Sequence, residues 1–225
     1  MKFKDLEDPA AALKERIDEV EIFYPIPAEH KRAPITLAVD IGANIGAFAV
    51  RYADVFKKIV CFEPNSDALV CLEHNLRDNE VKNVTTHCLA VSDKRGQTVK
   101  LYGLDEGEES HSGNCGTEWA NAEKVFKDKL GDEEFVQTTD LEEVFRLCET
   151  EFIDYMKIDC EGAECKFLLG KDLSKINYIV GEFHPGITQG LENELWDHME
   201  KTHKLDVYDR HCFFVAQKRK TWKIK

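Results

Sequence analysis

The feature that most constrains the fold is a short apolar run that ends in an acid and two glycines, LAVDIGANIG at residues 37–46. Apolar side chains follow at helical spacing from Ala47 to Phe56. The pattern predicts a buried strand, a tight turn and the start of a helix, which together open a doubly wound α/β fold. We expect Gly42 to bring the backbone close to a ligand and Gly46 to let the helix pack near the strand. Free amides of the turn would bind a polar ligand.

The spacing of the glycines narrows the class of ligand. A dinucleotide fingerprint, GxGxxG, would need a glycine at Asn44, and no GxxxxGK[S/T] loop for a nucleoside triphosphate is present. The segment DIGANIG instead resembles the first motif of Rossmann-like methyltransferases that depend on S-adenosylmethionine, in which this turn holds the methionine part of the cofactor. A strand-turn-helix unit whose glycines serve packing alone is the alternative.

Length and charge limit the organisation and the partners. A chain of 225 residues can bury one α/β domain and is short for two. Its 30 Lys and Arg against 43 Asp and Glu give a net charge of −13, which repels a phosphate backbone. We interpret the basic tail, residues 219–225, as a solvated end. We therefore expect no nucleic-acid partner.

Cysteine use and hydropathy predict the compartment. The first residues lack the apolar core of a signal peptide, and the longest apolar runs are too short to span a bilayer. The eight cysteines include no CxxC pair, so a structural zinc site is not expected. Several cysteines fall inside apolar runs, where a free thiol behaves as a small hydrophobe. We expect a cytoplasmic protein without membrane contact.

The acid at the end of the second predicted strand is placed to bind a ribose. Residues 58–65 predict a second strand that ends at Glu63, with Asn65 or Ser66 capping a helix to about Asn79. Glu63 lies 21 residues after Gly42, about where an acid binds ribose hydroxyls in Rossmann-type folds. A carboxylate can accept both hydroxyl protons. The alternative is that Glu63 only faces the N-terminus of the following helix.

The sequence leaves the roles of three further segments open. A third strand is predicted at residues 84–91, and Asp93 after it could bond an adenine amino group or form a turn before Gly96. Residues 105–134 interrupt the pattern, and we expect a lid on the substrate side, with mobile decoration as the alternative. Residues 1–36 predict a helix at 5–20 and an extended segment, which by analogy covers the cleft.

A second informative stretch follows at residues 152–164, FIDYMKIDCEGAE. Its apolar part predicts the fourth parallel strand, beside the first strand at the topological switch point. Asp159 and Glu161 would then project at the carboxyl end of the sheet, where open α/β folds bind ligands. Helix capping by these acids and Glu164 is the alternative.

The fifth predicted strand, residues 177–185, adds a candidate base. Alternation places Glu182 and His184 on the same side of the strand. The near-neutral intrinsic pKa of histidine suits removal of a proton from a hydroxyl, with Asp159 or Glu161 orienting His184 or the acceptor. A strand-end histidine that is only hydrogen-bonded is the alternative. The same oxygens could bind a divalent cation, but no spacing demands a metal and none is expected.

A helix at 191–203 and a closing hairpin, 205–208 with 212–217, complete the chain.

Four blocks in one order, DIGANIG, FEPN, AVSD and KIDCEGAE, resemble the FkbM family of methyltransferases over residues 37–185. The resemblance implies a Rossmann-like class I fold over residues 37–218, with a mostly parallel seven-stranded sheet, an antiparallel last strand and helices on both faces. It also implies S-adenosylmethionine as methyl donor and O-methylation of a small-molecule or glycan hydroxyl. Residues 111–114 are similar to a Ser-Gly-Asn element of family members.

The resemblance assigns roles residue by residue. Carried onto this chain, the first cofactor motif comprises Asp40, Gly42, Asn44 and Gly46, the ribose falls to Glu63, the adenine side to Asp93, and the fourth-strand site to Asp159 and Glu161. The alternatives are a non-enzymatic S-adenosylmethionine-binding module, and methyl transfer to a protein or amine acceptor. A nicotinamide dehydrogenase lacks its middle glycine. The oligomeric state stays open.

Overall fold

The structure is a computed structural model of the 225-residue chain and describes residues 9–27, 35–104, 115–116, 130–184, 188, 190–208 and 213–219. These residues form a mixed α/β architecture with a central sheet and a smaller second sheet. No helix in these ranges combines the length and the apolar character that a membrane crossing requires.

The described residues form eleven strands and six α-helices. The strands are β1 (Ile35–Ile41), β2 (Phe56–Phe62), β3 (Val84–His87), β4 (Ala90–Val91), β5 (Thr98–Leu104), β6 (Cys115–Gly116), β7 (Leu130–Thr139), β8 (Ile153–Ile158), β9 (Ile176–Glu182), β10 (His203–Tyr208) and β11 (Phe213–Lys218). The helices are α1 (Pro9–Phe23), α2 (Ala47–Arg51), α3 (Ser66–Asp78), α4 (Leu141–Leu147), α5 (Glu164–Leu168) and α6 (Glu192–Glu200), with one 3₁₀ turn at Leu173–Lys175.

The central sheet has the strand order β10-β11-β9-β8-β1-β2-β3. Every neighbouring pair from β9 to β3 is parallel, and β11, the last strand of the chain, runs antiparallel to both of its neighbours. The expected seven-stranded, mostly parallel sheet with a reversed last strand is confirmed. Because β1 lies between β2 and β8, the carboxyl ends of these three strands meet at one edge.

Helices cover both faces of this sheet, each over its own apolar core. On one face α1, α2 and α3 pack on a core that includes Leu13, Phe48, Leu72 and Tyr155. On the other face α4, α5 and α6 pack on a core that includes Phe167. A central sheet buried on both faces explains why its strands read as nearly continuous apolar runs.

The predicted third strand is divided between the two sheets. Residues 84–87 pair with β2, but Ala90 and Val91 pair in parallel with the end of β7 in the second sheet, whose order is β4-β7-β5-β6. The chain leaves the central sheet at Cys88 and Leu89, where the Leu89 amide bonds back to the His87 carbonyl oxygen. The single strand predicted at 84–91 is therefore wrong in this respect.

Other predicted boundaries shift where tertiary pairing overrides local spacing. The helix after the glycine turn ends at Arg51 rather than Phe56, because Phe56 already pairs with Ile35 at the start of β2. Strand β7 begins at Leu130, so it includes the end of the segment interpreted as a lid. Apart from β6, the rest of that segment lies outside the described residues, and so does the Ser-Gly-Asn element. The same holds for residues 28–34, the hairpin turn at 209–212 and residues 220–225.

Candidate functional site

The glycine turn after β1 has a left-handed backbone at three positions. The φ angles are 73° at Gly42, 49° at Asn44 and 86° at Gly46. The amides of Gly42 and Ala43 donate to the Phe62 carbonyl oxygen at 2.9 and 3.2 Å. The turn is therefore tied to the end of β2, and these two amides are not the free donors that the sequence predicts.

The two glycines serve packing within the protein. A Cβ on Gly42 would lie 1.7 Å from the backbone oxygen of Asp159, so the turn fits against the end of β8. A Cβ on Gly46 would lie 2.9 Å from Cγ of Leu72, in α3. Within the protein, Gly42 therefore packs against the residue that follows β8, and Gly46 packs against α3 rather than against the strand as expected. The approach of Gly42 to a ligand stays a prediction.

A buried ion pair between Lys157 and Asp40 supports the glycine turn. Nζ of Lys157 lies 3.2 Å from Oδ1 of Asp40 and donates to the carbonyl oxygen of Gly42 at 2.5 Å. Burial raises the pKa of Asp40, and Lys157 opposes that rise. Burial lowers the pKa of Lys157, but Asp40 and Asp159 raise it above its ordinary value. Asp40 lines neither cavity described below. Its part in the expected cofactor motif stays a prediction, and its observed contact is with Lys157, which holds the turn.

The first of two cavities lies over the carboxyl ends of β1 and β2. It is lined by Ile41, Gly42, Asn44, Phe62, Glu63, Pro64, Asn65, Ala68, Leu89, Ala90, Val91, Leu101, Asp159, Cys160, Glu161 and Ala163. Leu89, Ala90, Val91 and Leu101 give part of this lining an apolar surface. Glu63, Asp159 and Glu161 supply its carboxylates.

Glu63 is the buried acid of the first cavity. Its Oε2 accepts from the Asn44 amide and its Oε1 from the Asn65 amide, both at 2.8 Å. Burial raises the pKa of Glu63 to about 7, although these two amides lower it. A carboxylate has about four lone-pair sites, so two acceptor sites stay available for hydroxyl groups. Glu63 also holds the glycine turn in place, a second role that the sequence did not predict.

Asp93 lies apart from this cavity. Its side chain is exposed, and its Oδ1 accepts from the Ser92 hydroxyl at 3.2 Å. It starts the turn before Gly96 and is not among the residues that line either cavity. The adenine role of Asp93 stays a prediction, and the turn role is the one that its position favours.

The second cavity has a volume of about 360 Å³ and lies between α1 and the carboxyl ends of β8 and β9. It is lined by Arg16, Glu19, Val20, Phe23, Tyr24, Gly42, Ala43, Asn44, Ile45, Ala47, Phe48, Lys157, Asp159, Glu161, Glu182, His184 and Phe213. Gly42, Asn44, Asp159 and Glu161 line both cavities. The two spaces therefore meet at the junction of the glycine turn and the end of β8.

The three predicted catalytic residues come together at this junction. Nε2 of His184 lies 3.6 Å from Oδ1 of Asp159 and 3.5 Å from Oε2 of Glu161. Oε2 of Glu182 lies 4.0 Å from the same nitrogen. Neighbouring parallel strands that both end in polar residues produce this convergence, as the sequence predicts.

The charges of this group are strongly coupled. Burial lowers the pKa of His184, but Glu164, Asp159 and Glu161 raise it to about 10. Burial and the charge of Asp159 raise the pKa values of Glu161 and Glu182 to about 7. A histidine with this pKa carries a proton at neutral pH. The expected role of His184 as a base therefore requires that this proton first leaves.

Two residues outside the predicted catalytic set hold this group in place, Glu164, which the sequence analysis considered only as a helix-capping acid, and Tyr24. Glu164 is fully buried, and its Oε1 lies 2.9 Å from Nδ1 of His184 and accepts from the Cys160 amide at 3.0 Å. Tyr24, at the end of α1, donates its hydroxyl to Oδ2 of Asp159 at 2.8 Å. The sequence offers a hint for Glu164 in its KIDCEGAE block, but nothing relates Tyr24 to Asp159.

Comparisons with known proteins give the family. The model of the methyltransferase FkbM domain matches residues 40–214. A curated relative, the AMB antimetabolite synthetase AmbE of Pseudomonas aeruginosa PAO1, is 29% identical over 198 residues. That match covers 73% of this chain and 9% of AmbE, so the chain spans a small part of the relative.

Solved structures share the fold at low sequence identity. A methyltransferase FkbM from Methylobacillus flagellatus KT is 16% identical, with a TM-score of 0.51, over 81% of this chain and 43% of that one. TrmK of M. capricolum, in complex with S-adenosyl-homocysteine, is 13% identical, with a TM-score of 0.46, over 91% of this chain and 68% of that one. The likeness to the Methylobacillus flagellatus structure concerns the fold alone.

Proposed function

The chain belongs to the FkbM methyltransferase family, and on that premise we propose that it transfers a methyl group from S-adenosylmethionine to a hydroxyl of a small molecule or glycan. The observation that carries the proposal is the meeting of two cavities at Gly42, Asn44, Asp159 and Glu161. One cavity has the buried acid and apolar surface that suit a nucleoside, and the other is open to an acceptor. A methyl group has to pass between two such spaces.

The residues of the first cavity fit the cofactor. Glu63 keeps acceptor sites for the ribose hydroxyls beyond its two backbone partners. The buried side-chain oxygen of Asn44 accepts no hydrogen bond from the described residues, and Asn44 lines both cavities, so it is placed to take an N–H donor of the methionine part. Leu89, Ala90 and Leu101 offer an apolar surface for a flat base.

The cofactor supplies an electrophilic methyl on a sulfonium and leaves as a thioether. The protein contributes chiefly by positioning the methyl group and the acceptor. The turn from Gly42 to Gly46, held by Lys157 and by the Phe62 carbonyl oxygen, fixes one side of the junction. Asp159, held by Tyr24, fixes the other side. The carboxylates of Asp159 and Glu161 at this junction also suit the positive charge of the sulfonium.

The acceptor hydroxyl lies in the second cavity in this proposal. Its oxygen forms the new bond to the methyl carbon, and its proton leaves to the group around His184. His184 is the proposed base, with Asp159 and Glu161 orienting it or the acceptor. Glu161 lines both cavities and is the nearest alternative proton acceptor.

Calorimetry with S-adenosyl-homocysteine and with NAD tests the cofactor. We expect binding of S-adenosyl-homocysteine and none of NAD, because the turn lacks the middle glycine that a pyrophosphate requires. Binding of NAD alone would overturn the proposal.

The acceptor is then sought with labelled cofactor and fractionated metabolites. Transfer of label to a hydroxyl compound supports the proposal. Binding of S-adenosyl-homocysteine without transfer to any fraction would support a non-enzymatic binding module. An amine acceptor is the second candidate, favoured by the four carboxylates that line the second cavity, Glu19, Asp159, Glu161 and Glu182.

A further inference from the structure

We propose that Asp159, Glu182 and His184, here called the cation triad, bind one divalent first-row transition metal ion at the edge of the second cavity. Each residue offers one ligand atom, and the three atoms lie within 4.8 Å of one another. The three side chains come from the ends of two adjacent parallel strands, so the sheet itself sets their spacing.

The distances suit a shared ion better than direct hydrogen bonds. Nε2 of His184 lies 3.6 Å from Asp159 Oδ1 and 4.0 Å from Glu182 Oε2. A hydrogen bond from this nitrogen would need about 2.7–3.2 Å. Ligand atoms that each lie about 2.0–2.2 Å from one ion are at most about 4.4 Å apart. The separations of 3.6 and 4.0 Å fit this limit, and a pair near the 4.8 Å bound of the triad has to close by a few tenths of an ångström. The ligands therefore need little movement to enclose an ion.

Two of the three ligands are already held through their other atoms. Nδ1 of His184 lies 2.9 Å from Oε1 of the fully buried Glu164. Oδ2 of Asp159 accepts from the Tyr24 hydroxyl at 2.8 Å, which leaves Oδ1 on the side of His184. With Nδ1–H donating to Glu164, Nε2 faces the carboxylates of Asp159 and Glu182. In the ligand-free chain a proton on Nε2 balances their charge, and a bound cation would take the place of that proton. Such outer partners are typical of metal-bound histidine and carboxylate.

The donor set indicates the class of ion. Two carboxylate oxygens alone would suit Mg²⁺, whereas an imidazole nitrogen favours a first-row transition ion. Three protein ligands leave coordination positions for water or another ligand. All three residues line the 360 Å³ second cavity, so those positions face the space assigned to the acceptor.

The role of the ion rests on the proposed function, but its binding does not. Bound to an acceptor oxygen, a divalent cation lowers the pKa of the hydroxyl. With the ion bound, His184 acts as a ligand and Glu161 takes its place as the base. The hydroxyl proton then passes to Glu161, the oxygen–methyl bond forms, and the carbon–sulfur bond breaks with its electron pair left on sulfur. No oxidant or reductant takes part.

Equilibrium dialysis of the chelator-treated full chain with Mn²⁺ or Mg²⁺ tests the binding. Mn²⁺ is the probe because the eight cysteines of the chain would compete for Zn²⁺. We expect one Mn²⁺ per chain, bound more tightly than Mg²⁺, with loss of the free-ion electron paramagnetic resonance signal. Asp159→Asn, Glu182→Gln and His184→Ala should each weaken Mn²⁺ binding more than about 10-fold.

Glu19→Gln is the matched control, since Glu19 is a carboxylate of the same cavity that lies outside the cation triad. It should bind Mn²⁺ like the unaltered chain. Glu182 is partly exposed, so its variant keeps the test valid if another variant does not fold by circular dichroism. Absence of stoichiometric Mn²⁺, equal binding by the triad variants, or tighter Mg²⁺ binding would overturn the inference. Calorimetry with S-adenosyl-homocysteine on the same metal-free chain tests the proposed function separately. Binding of S-adenosyl-homocysteine without binding of Mn²⁺ would overturn the metal site alone.

Discussion

Lys157 and Asp40 form an ion pair inside the protein, with 3.2 Å between Nζ and Oδ1 and side chains that are 6% and 0% exposed. The two residues are register partners on the paired strands β8 and β1. Neither Asp40 oxygen receives a well-oriented hydrogen bond from the described residues. The charge of Asp40 is therefore balanced chiefly by Lys157, which also binds the Gly42 carbonyl oxygen.

Lys157→Met should lower the free energy of unfolding by about 3–5 kcal/mol, because it leaves a buried carboxylate without its partner. Urea unfolding measures the change. The double variant Asp40→Asn with Lys157→Met should recover part of the loss. Lys57→Met, at an exposed position near the start of β2, is the control and should change stability by less than about 0.5 kcal/mol. A Lys157→Met variant as stable as the control would contradict this account of the pair.

Glu63→Ala should weaken binding of S-adenosyl-homocysteine by about 1–3 kcal/mol, since ribose hydroxyls lose a charged acceptor. The variant also frees the Asn44 amide that Glu63 holds. Calorimetry measures the affinity, and Glu73→Ala, an exposed acid of α3, serves as the control. Unchanged affinity in a folded Glu63→Ala variant would mean that Glu63 only supports the turn.

The raised pKa of Glu63 predicts a dependence of stability on pH. Burial raises this pKa to about 7, against about 4.3 for an unfolded chain. The folded state therefore favours the protonated acid, and the stability that this gives is complete below pH ~4.3 and lost as pH rises through ~7. From this group alone the loss amounts to roughly 4 kcal/mol.

Unfolding of the ligand-free chain and of Glu63→Gln at pH 5 and pH 8 isolates this contribution. The variant has no titrating group at this position, so its stability relative to the unaltered chain should rise with pH. A difference that is the same at both pH values would show that Glu63 titrates at its ordinary pKa.

The sequence predicted the parts of the fold and of the site that depend on which residues end the strands. Apolar runs that end in ionisable residues placed Glu63, Asp159 and His184 at one edge of the sheet, because the carboxyl ends of parallel strands share that edge. Lys157 was missed because strand periodicity does not show which buried polar residue faces another strand. Tyr24 was missed because 135 residues separate it from Asp159 and only the docking of α1 joins them.

Gly42→Ala should destabilise the fold more than Gly170→Ala. Both glycines have a positive φ, +73° and +78°, so both variants carry similar backbone strain. A Cβ at Gly42 meets the Asp159 backbone oxygen at 1.7 Å, whereas a Cβ at Gly170 meets nothing within 4 Å. The difference in urea midpoint therefore reports the contact between the turn and β8. Equal destabilisation by the two variants would show that the contact is not close in solution.

His184→Ala and Asp159→Asn should keep the affinity for S-adenosyl-homocysteine and lose methyl turnover by about 10²–10⁴-fold, as expected for removal of a base or of the group that orients it. Labelled transfer to the acceptor fraction measures turnover, and His74→Ala, an exposed histidine of α3, is the control. Glu161→Gln distinguishes the two possible proton acceptors at the junction of the cavities. Normal turnover in His184→Ala together with a large loss in Glu161→Gln would reject His184 as the base and assign the proton to Glu161.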